Sequence, residues 1–380
     1  MTWQLRPIVF LLALVVAGFG GGAGERQAAA TSKPKPRQHA AALPALHATR
    51  GTHPRIVDAR GRQVILRGVN LNSLGDYYQD DPALPPVVPV TENDWADMET
   101  HGFNVVRLLV QWSAIEPTRG VFDDRYLARV HNAVTTAARH GIYTVIDMHQ
   151  DAWGKFIASP RRVQCPEGRQ PALGWDGAPK WATIKDGAGT CIQGSRENSE
   201  AVLTAWDNFY ANRDGIMDEL VKTWEHVARS FKGNRNVAGF DLLNEPNHGH
   251  HDNTALPALG VFYRDAIASI RKVEGGPHAL HHIVFFESTV FGVPVDPKFV
   301  AKPNLVYAPH NYAESIVGIP IDVLFNYFDS IAKRYETPMW IGEYGWFSDP
   351  AAQEPKLARY AAKEEALLSS GDAWWQWRQA

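Results

Sequence analysis

The sequence predicts an α/β fold, a (β/α)8 TIM barrel, and three observations carry the expectation. Short β-rich runs alternate with helical patterns, eight such runs occur along the chain, and polar residues break most of them at their C-terminal ends. Composition agrees with a packed globule: 380 residues, 45% hydrophobic and 21% charged. A formal charge of −3 supplies no basic field for a polyanion, so nucleic acid is excluded as a partner. Aromatic content is high, with 13 Trp, 12 Tyr and 16 Phe, and flat rings stack on sugar-like ligands.

In chain order, residues 1–30 read as a secretory signal peptide. MTWQLRP places Arg6 before the apolar run IVFLLALVVAGFG, and GGAGERQAAA resembles a small-residue cleavage segment. The run is shorter than the roughly 20 residues a membrane helix needs. The protein is therefore expected to be secreted, with no stable membrane insertion after cleavage; an uncleaved anchor is the alternative. Residues 31–54 shift to Pro, Lys, Ala and His without an apolar period and read as a flexible linker. The folded domain is expected over 55–380. It should open with a β-hairpin in RIVDARGRQVILRGVNL, turning at Asp58-Ala59-Arg60-Gly61.

The eight strands are expected at Ile65–Val69, Asn104–Val110, Tyr143–Met148, Gly239–Leu243, His282–Phe286, Leu305–Ala308, Met339–Ile341 and Ala373–Trp377. Helical periodicity falls between most of them, at Glu92–Thr100, Asp124–Arg139, Ile216–Phe231, Leu259–Val273, Val323–Arg334 and Gln353–Leu368. The stretch from Trp153 to Asp214 is then one long insertion after strand three. It holds both cysteines of the chain, Cys165 and Cys191, and a Trp-rich stretch with Trp175, Trp181 and Trp206. Their spacing is not that of a zinc or redox motif, and export implies a Cys165–Cys191 disulfide tying the insertion beside a cleft. No residues remain after strand eight for a final helix, which is expected to be missing or truncated.

Reactive groups of such a barrel sit where its strands end. Strand two reads VVRLLVQW, with Arg107 inside an apolar run. Strand three ends IDMHQD, strand four DLLNEP, strand six APHNY, strand seven WIGEYG, and strand eight reads AWWQW. Glu245 and Glu343, from strands four and seven, should face each other across the mouth. Two facing carboxylates without a metal-ligand cluster are the equipment of glycoside hydrolysis, and no metal or cofactor is expected. Arg107 is too costly to leave unpaired; Glu343 is its natural partner, and the pairing should lower the Glu343 pKa below that of Glu245. His310 and Tyr312 share parity and can point together into the mouth, with the phenol near Glu343. Asn244 can offer its amide to a sugar hydroxyl. Of the closing tryptophans, Trp375 and Trp377 share parity, and the outermost, Trp377, is expected to be the stacking floor.

LLNEPN and WIGEYG, together with VVRL, DMH, PHNY and the closing Trp, resemble glycoside hydrolase family 5, retaining β-glycosidases on a (β/α)8 barrel. The resemblance runs from about Ile56 to Trp377. It implies Glu245 as acid/base and Glu343 as nucleophile, with Arg107, His149, Asn244, His310, Tyr312 and Trp377 around them. GVNLNS, NVVRLLVQWSAIEPTRGVFDDRYL, IDMHQDAWG and DGAPKWAT are similar to the endoglycoceramidase-related branch, which implies that Asp151 also reaches the sugar. That branch usually continues into a β-sandwich after the barrel, so a chain truncated at its C-terminus is expected. The function implied is hydrolysis of β-glucosides with an apolar, glycolipid-like aglycone by a monomer. An endo-β-1,4-glucanase or mannanase is the alternative, and a non-catalytic carbohydrate-binding barrel a third.

Overall fold

The structure, a computed structural model, describes residues 43–75, 87–295, 299–300 and 302–378. The expected signal peptide and most of the expected linker lie outside these residues. Eight parallel strands form one sheet: β1 Leu66–Leu71, β2 Val105–Gln111, β3 Tyr143–His149, β4 Val237–Asp241, β5 Ile283–Phe286, β6 Leu305–Tyr307, β7 Ile341–Tyr344 and β8 Gly371–Trp374. Their order is β6-β5-β4-β3-β2-β1-β8-β7. The two edges meet through parallel bridges Tyr307↔Met339 and His310↔Glu343, with Trp340 N donating to Tyr307 O at 3.0 Å, so the sheet closes into a barrel.

The strands are almost continuously apolar because both faces are covered, one by helices and one by the barrel interior. The interior is filled by Leu66, Val105, Val145, Ala238, Phe285, Val306, Trp340 and Ala373. Residues 46–48 depart from the expected linker: Leu46–Ala48 pairs antiparallel with Ile56–Asp58. Leu46 and Ala48 alternate with an exposed His47, and they join Ile56 in the interior cluster. A segment that seals apolar side chains under a barrel is ordered by that burial, whatever its Pro and Ala content. The expected hairpin is present as the bridge Val57↔Gln63, its turn held by Asp58 Oδ1, which accepts from the backbone N–H of Arg60 and Arg62.

The outer layer comprises α1 Glu92–Thr100, α2 Asp124–Arg139, α3 Glu200–Tyr210, α4 Ile216–Ser230, α5 Asp252–Glu274, α6 Ile321–Tyr335 and α7 Pro350–Ala366, with a four-residue helix at Trp112–Ile115. Local signals explain the boundaries. Thr91 and Asp94 form a capping box at α1, and Asp123 caps α2 through the N–H groups of Arg125 and Tyr126. The insertion contains α3, which the sequence reading left out. Its buried stripe Ala201, Val202, Ala205, Trp206 and Phe209 packs it onto the barrel, with Ser199 as N-cap. The Cys165–Cys191 disulfide is formed, with Cα atoms 5.7 Å apart. It lies beside a two-stranded pairing of Gln170–Pro171 with Cys191–Ile192. Among the described residues no helix is long and apolar enough to cross a membrane.

Candidate active site

At the C-terminal ends of the strands a cavity of about 910 Å³ opens, and Glu245 and Glu343 both line it. β4 ends at Asp241, and the chain then turns so that Glu245 takes a left-handed backbone, φ 39°. A non-glycine residue held there costs roughly 1–3 kcal/mol. Two side chains hold it: Glu245 N donates to Glu287 Oε2 at 3.0 Å, and Gln150 Nε2 donates to Glu245 O at 3.0 Å. Glu343 lies within β7. One carboxylate oxygen from each glutamate and a ring nitrogen of His310 fall within 4.8 Å of one another.

Arg107 is fully buried and divides its guanidinium among four carboxylates. Nη1 donates to Glu343 Oε1 at 2.7 Å, Nε to Asp241 Oδ2 at 2.9 Å and Nη2 to Glu287 Oε1 at 3.0 Å, while Asp147 Oδ1 lies 2.9 Å from Nη2. Asn70 and Asn244 accept from its remaining N–H groups. Tyr312 Oη donates to Glu343 Oε2 at 2.8 Å. His310 Nδ1 lies 2.9 Å from Glu245 Oε1 and 3.5 Å from Glu343 Oε2, and its Nε2 lies 3.2 Å from Glu287 Oε1. Gly342 makes this possible, since a Cβ there would sit 3.0 Å from His310 Nε2.

The expected ordering of the two glutamates is corrected. Burial pushes the Glu343 carboxyl up to about 7, the Glu245 charge adding to it, against the pull of His310 and Arg107. Burial also opposes ionisation of Glu245, but the hydrogen bond and charge of His310, with Arg196, bring it below the usual carboxylate value. Arg107 does contact Glu343; its charge is shared four ways, so the pairing does not outweigh desolvation. His310 itself, despite burial, is held well above its usual value by Glu287, Glu343 and Glu245.

The other expected residues divide into those at the cavity and those behind it. His149, Asp151, His310 and Tyr312 line the wall. His149 Nδ1 lies 2.7 Å from Asp147 Oδ2, and Asp151 is held by Arg196. Arg107 and Asn244 do not line it; the Asn244 amide is spent on Arg107 Nη2 and on Gln150 O. Trp377 is a correction. Its indole donates to Oδ1 of Asp94, the Thr91 partner in the capping box of α1, at 3.1 Å, and it is absent from the cavity wall. Trp375 lines the cavity instead, stacked on His149 with ring centroids 5.5 Å apart. Strand parity was the wrong guide because β8 ends at Trp374, and alternation does not continue past a strand.

Four wall residues, Trp175, Ser195, Arg196 and Glu197, come from the insertion. Trp175 carries the Arg196 guanidinium over its ring at 4.6 Å, and Arg196 is paired with Asp151 and Glu197. The opposite wall is apolar and open to solvent: Phe291, Ile316, Val317, Ile319, Val323 and Phe347 are all exposed and all line the same cavity. His149, Asp151 and Asp176 also bring donor atoms within 4.8 Å. Neither close-set group needs an ion to explain its geometry, since the histidine of each is held by carboxylates.

Facing glutamates at the mouth of a (β/α)8 barrel, escorted by Arg, His and Tyr, define a carbohydrate-processing class of site. The chain belongs to the Cellulase family, glycosyl hydrolase family 5, whose model matches residues 57–380. It is 28% identical over 349 residues to Endoglycoceramidase I of Rhodococcus hoagii (strain 103S), covering 81% of this chain and 64% of that protein. It is 30% identical over 258 residues to an endoglycoceramidase of Cyanea nozakii, covering 62% of this chain and 50% of that one. The chain thus spans about half to two thirds of these relatives. Among solved structures it resembles an endogalactoceramidase, with TM-score 0.84, 41% identity, and 89% and 76% of the two chains covered. It also resembles endo-glycoceramidase II from Rhodococcus sp. in complex with ganglioside GM3, with TM-score 0.70, 26% identity, and 86% and 76% covered.

Proposed function

We propose that this chain is a secreted retaining β-glycosidase acting on glycosides with an apolar, glycolipid-like aglycone. The observation that carries the proposal is the joining, in one cavity, of two glutamates with oxygens within 4.8 Å and a wall of exposed apolar side chains. Carboxyl groups this close leave no room for a water between attacking group and sugar, which favours double displacement over inversion. The sugar occupies the end built from His149, Asp151, Trp175 and Arg196, with Trp375 as its floor, and the aglycone leaves along Phe347, Ile316 and Ile319. The endoglycoceramidase names of the relatives fit this division. Export rests on the N-terminal signal-like segment alone.

In this mechanism Glu343 attacks the anomeric carbon while Glu245 protonates the glycosidic oxygen, giving a glycosyl ester and a free aglycone. Glu245 then takes a proton from the incoming water, which releases the sugar and regenerates Glu343. In the free pair a proton is favoured on Glu343, whose carboxyl is raised to about 7, over Glu245, which is lowered. Substrate binding must move it to Glu245, and a sugar hydroxyl donating to Glu343 supplies the bias. A panel of aryl β-glycosides, galactosyl- and glucosylceramide in micelles, β-1,4-glucan and mannan tests the proposal, with the anomer of the first product read by NMR. Glycolipid turnover with the β-anomer formed first is expected. Cleavage of glucan or mannan alone would favour the polysaccharide alternative, an α-anomer would refute retention, and no turnover of any glycoside would leave a binding barrel.

A further inference from the structure

Glu287 ends the apolar run of β5, is 3% exposed, and has no part in the mechanism above. Its two oxygens meet donors that are either the backbone of Glu245 or side chains that also hold Glu245 and Glu343. Oε2 accepts the backbone N–H of Glu245 at 3.0 Å, the residue whose left-handed backbone aims the acid/base. Oε1 accepts from Arg107 Nη2 at 3.0 Å, the guanidinium whose Nη1 holds Glu343, and lies 3.2 Å from His310 Nε2, whose Nδ1 meets Glu245. The Nε2 contact is an ion-pair distance without hydrogen-bond alignment.

We infer that Glu287 is a positioning residue that fixes the acid/base and the nucleophile together, through one carboxylate shared between the Glu245 amide, Arg107 and His310. The inference rests on the glycosidase reading for its catalytic consequence, but not for its geometry. Only a group with two acceptor ends satisfies this position. An amide must turn its NH₂ toward either the Glu245 N–H or the Arg107 and His310 cations, and both arrangements set donor against donor. In its ionised form Glu287 also favours the imidazolium of His310. The groups facing His310 are Glu245, Glu287 and Glu343, with Asp241 also acting on it; those facing Glu287 are Arg107, His310 and Asp241, while the Tyr263 phenol donates to the Glu287 carbonyl. Removing one of the carboxylates around His310 lowers its affinity for a proton.

The test is Glu287→Gln in the whole chain, with ¹⁵N-labelled histidine. In the parent the His310 ring is expected to stay protonated to a pH about one unit or more above that found in the variant. kcat/KM for an aryl β-glycoside should fall at least about tenfold, with its limbs displaced on the pH axis. A His310 titration that coincides in parent and variant would overturn the inference, as would a rate loss uniform in pH. If Glu287→Gln does not fold, Glu287→Asp decides: it keeps the charge but cannot span both donor sets, so His310 should titrate as in the parent while kcat falls. A parent-like kcat would refute the shared-carboxylate role. Should the parent hydrolyse no glycoside, the reading under Proposed function fails, and the His310 titration still decides this one.

Discussion

Tyr312→Phe removes one atom, the phenol oxygen that donates to Glu343 Oε2 at 2.8 Å. The ring stays packed against Phe347, with centroids 6.2 Å apart, so the fold should be unaffected. A hydrogen bond to a charged group contributes about 1.5–3 kcal/mol. Divided by 1.36 kcal/mol per pKa unit, its loss raises the Glu343 pKa by roughly 1–2 units, and water entering the vacated space recovers part, so about 1 unit is expected. The sign follows from the chemistry. Glu343 must be ionised to attack, its carboxyl is already at about 7, and losing a donor to the ionised form raises it further. For an activated aryl β-glycoside, whose leaving group needs no proton, the acid limb of kcat/KM should therefore move up by about one pH unit, with about tenfold lower rate below it and little change above it. A limb that stays in place, in a variant with the parent Tm, would refute the claim that Tyr312 stabilises the ionised nucleophile.

Three further outcomes are expected. Glu245→Ala should lose turnover of glycosides whose leaving group needs a proton, yet retain attack on an activated aryl glycoside, with azide restoring release from the glycosyl ester; indifference to azide would mean the acid/base is another residue. Ile316→Asn, at 66% exposure on the apolar wall, should raise KM for a glycolipid about tenfold while leaving a small aryl glycoside unaffected, since burying such a side chain is worth roughly 1.5–3 kcal/mol. Glu364→Gln should raise Tm progressively as pH rises from 5 to 9, because burial and Asp372 push Glu364 up to about 9. A carboxyl raised on folding gives stability that is full below its unfolded value and lost as pH climbs through the folded one, whereas an amide has no charge to acquire. Parallel Tm profiles would rule this out.

What the sequence revealed of this site follows from the cost of burying charge. Glu245, Glu343 and Arg107 were legible because each interrupts or ends an apolar strand, where an unpaired charge cannot sit. Glu287 carries the same mark, closing the apolar run IVFF. Trp175 and Arg196 gave no signal of this kind, since their place depends on how a disulfide-tied loop lies across the barrel, a non-local fact. The seal formed by Leu46 and Ala48 was hidden for the same reason: a three-residue alternation gains meaning only once there is a barrel interior for it to fill. Trp377 shows the opposite failure, a periodic rule extended three residues beyond the strand that justified it.

The misjudged ordering of the two glutamates leads to a more general point about the barrel mouth. Asp147, Asp241, Glu245, Glu287 and Glu343 gather around Arg107, His149 and His310, all of them largely removed from water, and the carboxylates outnumber the cations. Full ionisation would leave net negative charge in a low-dielectric enclosure, so some carboxyls retain protons at neutral pH. Burial accordingly pushes Asp241 up to about 6, and Glu287 and Glu343 to about 7. A lone Arg–Glu pair would have made a permanently ionised carboxylate, whereas this cluster can hold the proton that the first step of the proposed mechanism requires. A sugar that stabilises ionised Glu343 then needs to move that proton only as far as Glu245, along a cluster in which His310 Nδ1 lies within 3.5 Å of both carboxylates. On the proposed mechanism, selectivity for substrate is then linked to protonation: a ligand that filled the apolar wall without placing hydroxyls against Glu343 would leave that carboxyl protonated and unable to attack.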